Sequence, residues 1–261
     1  MKGHYEINDN GYISVTTVIS QADDKSGLMQ WAVDTAIEYI IDNSYKQLAN
    51  DGTDNTVYTL DQEILNLSRT YYKDISNEAK TTGTAVHDII EQHIKSKIAK
   101  SKKKVNLRGF SDIEKGCYNA FLKWETDNKV EYIESEKVVH HDSLCYAGTL
   151  DILCKLNGKL TYIDIKTSKA FYNDSMGMQL AAYKYADCHM TNYCDDMMSE
   201  KENANIGILR LDKETLKYEY KDYSKDFEKY ISSFIYLLNF YYKIKNRRIK
   251  NDRTRREGIW K

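Results

Sequence analysis

The sequence predicts an α/β (α+β) fold, a β-sheet with helical cover, on three observations. First, Asn157-Gly158 separates two apolar-rich runs, 147–156 and 159–167. Asn-Gly in that setting is the strongest short-range hairpin signal, because a type I′ turn needs φ > 0 at both central residues. Second, blocks with helical spacing lie on either side of this hairpin. Third, two more strand-like runs follow near 205–211 and 214–220. Helices, a meander, a helix and further strands give one sheet layered with helices.

The elements follow in order. Tyr12 to Ile19 is a short extended start. Leu28 to Ile41 carries helical spacing at Leu28, Trp31, Ala32, Thr35, Ala36 and Tyr39. Residues 60–75 and 76–99 are expected as two helices, the second capped near Ser76 with Glu78 in its first turn. Asp112 to Asp127 is a helix with Ile113, Cys117, Ala120, Phe121 and Trp124 on one stripe. Strands at about 131–141, 146–156 and 159–167 form the meander. A helix at 174–190, the two further strands and a long basic helix from about 224 to 256 complete the chain. There is no internal repeat and no Gly-, Ser- or Pro-rich linker, so one domain over 1–261 is expected: a helical part to about 130, a sheet core over 131–220, and the basic helix.

Composition narrows the class. Hydrophobic content of 41% and charged content of 30% suit a chain that buries a core. No apolar run approaches the roughly 20 residues that span a bilayer, so no membrane partner is expected. The first six residues lack an apolar signal region, so the expected address is the cytoplasm. Five cysteines form no CxxC pair and suggest reduced thiols. Net charge is −1, yet Lys95 to Arg108 holds seven Lys or Arg and no acid, and Lys243 to Arg256 holds eight against Asp252. Such runs can track a phosphate backbone, or form solvated faces.

The chemistry centres on the hairpin. A turn at residues 157 and 158 sets Asp151 directly opposite Asp164, and Thr149 opposite Lys166. Asp164 and Lys166, two apart, share a face. Like charges facing each other across strands are destabilising, so two opposed carboxylates imply a cation between them. The expectation is a divalent-metal site with a lysine beside it. Four further signals accompany it. His87 and Glu91 lie one helical turn apart, and a neutral imidazole is a common ligand, although a helical His is more often a core or surface residue. Gln179 and Tyr183 share a helix face that could hold a phosphate or a base. Glu136 could extend the acidic cluster or be a solvated strand start. Thr167 and Ser168 could contact a phosphate or cap a turn.

Gly148-Thr149-Leu150-Asp151, then Asp164-Ile165-Lys166, then Gln179-Leu180-Ala181-Ala182-Tyr183, preceded by Gly83-Thr84-Ala85-Val86-His87, resembles the RecB-like branch of the PD-(D/E)xK nuclease superfamily. It is similar to single-domain phage exonucleases and to the mitochondrial genome maintenance exonuclease. Ser14-Val15-Thr16-Thr17 followed by Trp31 resembles the opening of that group. The motifs cover about residues 14–183. No proline precedes Asp151, but Gly-x-x-Asp is usual for this branch. The resemblance implies a restriction-endonuclease-like mixed sheet. It further implies Asp151, Asp164 and the Ile165 carbonyl as ligands of Mg²⁺ or Mn²⁺, with His87 as an added ligand. Lys166 would orient the attacking water and steady charge on the phosphate, and Gln179 and Tyr183 would support the site. Relatives that bind an iron–sulfur cluster use three late cysteines. Only Cys188 and Cys194 are late here, so no cluster is expected.

The function expected from these features is a metal-dependent DNA exonuclease acting on single-stranded ends, in the host-cell cytoplasm if phage-encoded. Thr167, Ser168, Ser14, Thr16, Lys102, Lys103, Lys104, Arg247 and Arg248 are its candidate DNA contacts. A recombinase or single-strand-binding protein is a candidate partner. The alternatives are a double-strand 5′-end resection nuclease of a phage recombination system and a catalytically silent DNA-binding module. A phosphatase-like metallohydrolase is disfavoured because no second histidine-rich ligand cluster is visible.

Overall fold

The structure, a computed structural model, describes residues 3–22, 24–48, 61–101, 105–171, 174–190 and 198–245. The chain divides into two compact units, Asp24–Thr84 and the remainder, Met1–Asp23 with Ala85–Lys261.

The larger unit is a mixed α/β sandwich. Strands β1 (His4–Ile7), β2 (Asn10–Ser14), β3 (Val130–His141), β4 (Tyr146–Leu156), β5 (Lys159–Lys166), β6 (Asn205–Leu211) and β7 (Tyr218–Asp222) form a seven-stranded mixed sheet. The described residues form seven helices, of which α2 and the first part of α3 belong to the smaller unit: α1 (Val15–Ile19), α2 (Ser26–Leu48), α3 (Gln62–Ile98), α4 (Asp112–Asp127), α5 (Ser175–Cys188), α6 (Met198–Glu202) and α7 (Phe227–Lys245). Apolar residues of α1, α5 and α7 pack in one cluster with Tyr146, Leu150, Leu160 and Tyr162. Those of α3 and α4 pack in a second cluster with Ile152, Cys154, Ile163 and Ile165. The alternation along β5, even residues to one cluster and odd to the other, is the period of a strand buried on both faces. None of the described helices is long and apolar enough to cross a membrane.

The meander forms as expected. Asn157 (φ 53°) and Gly158 (φ 84°) supply the two positive-φ positions of the turn, and Leu156 pairs with Lys159 up to Ile152 with Ile163. Helix α4 spans its expected range and starts with a capping box, Ser111 to Glu114.

Four expectations need correction. The 60–99 region is one helix, α3, rather than two; no Gly or Pro lies between Tyr72 and Lys80, and a mid-helix Ser costs too little to break it. The N-terminal segment is a hairpin followed by a helix: Asn8 and Asp9 (φ 48° and 62°) turn β1 into β2. Ser14 then ends the strand because its hydroxyl accepts the Thr17 amide at 3.1 Å and caps α1. The last strand begins at 218, not 214, because Asp212 Oδ1 accepts the Glu214 and Thr215 amides and folds that stretch into a turn. The C-terminal helix opens with a 3₁₀ turn at Ser224–Asp226 and is described to Lys245; the expected stretch 246–256 lies outside the described residues.

The smaller unit pairs α2 with the first part of α3. Trp31 meets Tyr72 edge-on with ring centroids 6.4 Å apart, and Tyr39 meets Tyr71 at 4.5 Å.

Candidate metal centre

Strand β4 places the site by the way its edges are used. One edge pairs with β3 over its whole length, from Val130–Leu156 to His141–Tyr146. The other edge is shared. Strand β2 runs parallel to its start, pairing Ile13 with Tyr146 and Ser14 with Ala147, while β5 covers only Ile152 to Leu156. Between them Gly148-Thr149-Leu150-Asp151 carries no strand on that edge among the described residues. The expected ladder pairs Asp151–Asp164 and Thr149–Lys166 are therefore absent. Beyond Ile163, β5 leaves β4 and stays with β6 as far as Lys166–Arg210. The Ile165 amide finds its acceptor in the Asp151 side chain instead, 2.6 Å from Oδ2. The strand pair forks, and the candidate residues sit at the fork.

On one side of the fork, His87, Glu136 and Asp151 each offer a ligand atom within 4.8 Å of the others. His87 comes from α3, one position past the buried Val86, with Nδ1 3.6 Å from Asp151 Oδ2. Burial holds the imidazole below its ordinary pKa, hence neutral, and the Ile165 carbonyl lies beside it. The β3–β4 register pairs Ser135 with Ile152 and Lys137 with Leu150, which sets Glu136 across from Asp151. The carboxylate facing Asp151 across a ladder is thus Glu136, not Asp164. Glu136 adopts φ 51°, a left-handed conformation costing a non-glycine residue about 1–3 kcal/mol. Burial, then the Asp164 charge, push the Asp151 carboxyl well above its usual range. Burial and Glu91 push Glu136 upward. This is an oxygen-rich set, only partly compensated by Lys166 and Lys95, with one neutral imidazole, the chemistry a hard divalent ion uses.

The other side is a closed polar circuit. Asp164, 2% exposed, lies 2.6 Å from the Lys166 ammonium through Oδ2. Its Oδ1 accepts from Gln179 Nε2 at 2.9 Å. The same Gln179 nitrogen donates to the Tyr183 hydroxyl at 2.9 Å, and Gln179 Oε1 accepts from Lys166 at 3.3 Å. Burial opposes the Lys166 charge, but Asp164 outweighs it and holds the ammonium above its ordinary pKa. Helix α5 supplies Gln179 and Tyr183 one turn apart, as expected. The Tyr183 ring abuts the Gly148 backbone through Cε1: a Cβ there would come 2.1 Å from that atom. Gly148 therefore has a packing reason to be glycine.

The remaining candidates scatter. Asp164 lies outside the His87–Glu136–Asp151 group. Glu91 is also outside it and is paired with Lys95. Ser14 is a buried helix cap, and Thr16 is exposed. Thr167 follows β5, and the Ser168 hydroxyl donates to the Ala170 carbonyl at 2.9 Å. Lys102, Lys103, Lys104, Arg247 and Arg248 lie outside the described residues. Tyr5 was not expected at the fork: its hydroxyl is 3.1 Å from Thr149 Oγ1. Its signal was Asn8-Asp9 between Tyr5-Glu6-Ile7 and Gly11-Tyr12-Ile13, a second hairpin pattern. No family model matches this chain, and no curated protein matches it significantly.

Proposed function

We propose that the chain is a Mg²⁺- or Mn²⁺-dependent nuclease with a restriction-endonuclease-like core, hydrolysing phosphodiester bonds at single-stranded DNA ends in the cytoplasm. The observation that carries this reading is the fork itself. A bare His87–Glu136–Asp151 group stands beside a protonated Lys166 locked by Asp164 and Gln179, on the motif residues that resemble the RecB-like branch.

His87, Glu136 and Asp151, with the Ile165 carbonyl, are the residues that would hold the ion. A divalent cation bound there would neutralise phosphate oxygens and lower the pKa of water. Asp164 favours the ammonium form of Lys166 in the metal-free site, which suits orienting the attacking water and stabilising phosphate charge better than acting as the base. Asp164 and Gln179 position Lys166, and Tyr183 fixes Gln179.

End-labelled single-stranded, blunt and closed-circular DNA, each incubated with Mg²⁺, Mn²⁺ or EDTA, tests this reading. The expected result is stepwise shortening of the single strand with either metal and none in EDTA. Lys166→Ala should lower the rate on the order of 10²–10³-fold while leaving DNA affinity within about threefold. Absence of cleavage of any polynucleotide with either ion would overturn the proposal, and rapid cutting of the circle would make the chain an endonuclease.

A further inference from the structure

We propose that the outer face of α2 is a docking surface for a basic amphipathic helix of another protein. This inference concerns the smaller unit alone and does not depend on the nuclease reading. Met29, Val33, Ile37 and Ile41 recur every four residues along α2 and are 65%, 53%, 49% and 56% exposed. A helix needs one apolar stripe to pack, and α2 already has it: Trp31 and Tyr39 meet Tyr72 and Tyr71, and Thr35 is buried. The second stripe spans about 18 Å at 1.5 Å per residue. Single exposed apolar residues are ordinary, but a contiguous row of four marks an interaction surface. Rows at four-residue spacing are the ridges that interdigitate in the commonest helix–helix packing.

Charge selects the occupant. Asp34, Glu38 and Asp42 form an exposed row with the same four-residue spacing beside the stripe, and no Lys or Arg lies between Ser26 and Ser44. A phosphate backbone or an anionic lipid surface would be repelled. A second copy docking by the same face would set these carboxylates against an equally cation-free helix. A helix with its own apolar ridge and flanking Lys or Arg satisfies both features, with the acids governing encounter and register.

The test uses the full chain and three labelled synthetic peptides: an amphipathic Leu/Lys helix, its Leu/Glu counterpart, and a non-amphipathic peptide of the Leu/Lys composition. Fluorescence anisotropy should show saturable binding of the first, at least tenfold tighter than of the other two. Val33→Ser with Ile37→Ser, both exposed and tolerable to the fold, should weaken it at least tenfold. Glu38→Lys with Asp42→Lys should move the preference to the Leu/Glu helix. Hydrogen exchange on saturation should slow within residues 26–44. Equal binding of all three peptides, or affinity indifferent to both double variants, overturns the proposal. So does self-association that Val33→Ser with Ile37→Ser abolishes.

Discussion

Asp187 and Asp151 are both buried aspartates in the same unit, and the fold treats them in opposite ways. Asp187, its side chain 1% exposed, accepts from the Tyr162 hydroxyl at 2.7 Å and faces the ammoniums of Lys137 at 3.0 Å and Lys201 at 3.5 Å. Asp151 accepts the Ile165 amide and has a neutral His87 nearby; Asp164 and Glu136 push its proton affinity up, and the Lys166 charge offsets them only in part. Burial is common to both; compensation is not. A buried charge paired by cations on every side belongs to the scaffold. A buried carboxyl set among other carboxylates must take up a proton or a cation, and that contrast locates the site more sharply than burial or residue type alone.

The two residues should therefore exchange signatures when removed. Asp187→Ala removes the carboxylate that the Tyr162 hydroxyl, Lys137 and Lys201 share, a loss of up to about 3–5 kcal/mol by the usual cost of breaking a buried pair, with Lys137 keeping Glu134 at 2.6 Å. At about 2–4 °C per kcal/mol for a chain of this size, the melting temperature should drop well beyond 5 °C. Cleavage per folded molecule should persist. Asp151→Asn, which can still accept the Ile165 amide, should lower metal-dependent cleavage on the order of 10³-fold, several kcal/mol of transition-state stabilisation, with no fall in metal-free stability. Thermal denaturation and single-turnover cleavage on both variants check this. A destabilised Asp151→Asn or an inactive Asp187→Ala would dissolve the distinction.

Gly148→Ala sharpens the contrast from the backbone side. The added methyl meets the Tyr183 ring and must displace it, at about 1–3 kcal/mol for an overpacked site. Because Tyr183 holds Gln179 and Gln179 holds both Asp164 and Lys166, the displacement should reach the ammonium and cost up to about 10²-fold in kcat. Metal affinity at His87, Glu136 and Asp151 should change little, as read by calorimetric titration with Mg²⁺. An active Gly148→Ala would mean that Tyr183 does not position the lysine.

How much of this was legible follows the range of the forces involved. The β4–β5 hairpin was legible because Asn157-Gly158 is local and its turn type sets the register. Gln179 and Tyr183 were legible as a pair because four residues is one helical turn. The fork was not. A local rule extends the ladder to Asp151 and Asp164, whereas β2, over a hundred residues earlier, pairs with Tyr146 and Ala147, and β5 follows β6 instead. Glu136 likewise became a partner of Asp151 through the β3 register, which shifts at Tyr132–Glu134 and carries no sequence mark. The break of α3 expected at Ser76 failed because a cap residue ends a helix only where something else stops it.

Protonation offers a gentler probe of the same contrast. The Asp151 carboxyl is held well above its ordinary pKa by burial and by Asp164, so the folded chain binds that proton more tightly than the unfolded chain. Metal-free stability attributable to Asp151 should therefore fall as pH rises from the ordinary carboxylate range toward neutrality. Asp151→Asn removes the charge and can still accept the Ile165 amide. In EDTA it should melt above the parent at neutral pH by about 2–4 °C for each kcal/mol recovered, and the gap should close in acid. Added Mg²⁺ should raise the parent's melting temperature by linkage and leave Asp151→Asn unmoved. A gap that widens in acid would reverse the sign and remove the argument.

The smallest effect separates charge from backbone at Glu136. Its carboxyl is raised by burial and Glu91, and its φ of 51° is one that asparagine tolerates better than glutamate or glutamine. Glu136→Gln removes the charge and keeps the strain; Glu136→Asn removes the charge and relieves part of the strain. Both should weaken Mg²⁺ binding at least tenfold if Glu136 is a ligand. In EDTA the Asn variant should melt above the Gln variant by a difference worth less than about 1 kcal/mol, roughly 2–4 °C or below. Equal melting with weakened Mg²⁺ binding would keep the ligand and discard the strain. Unchanged Mg²⁺ affinity in both variants would leave a left-handed glutamate facing Asp151 with no cation to justify either, and the bare half of the fork would lose its chemistry.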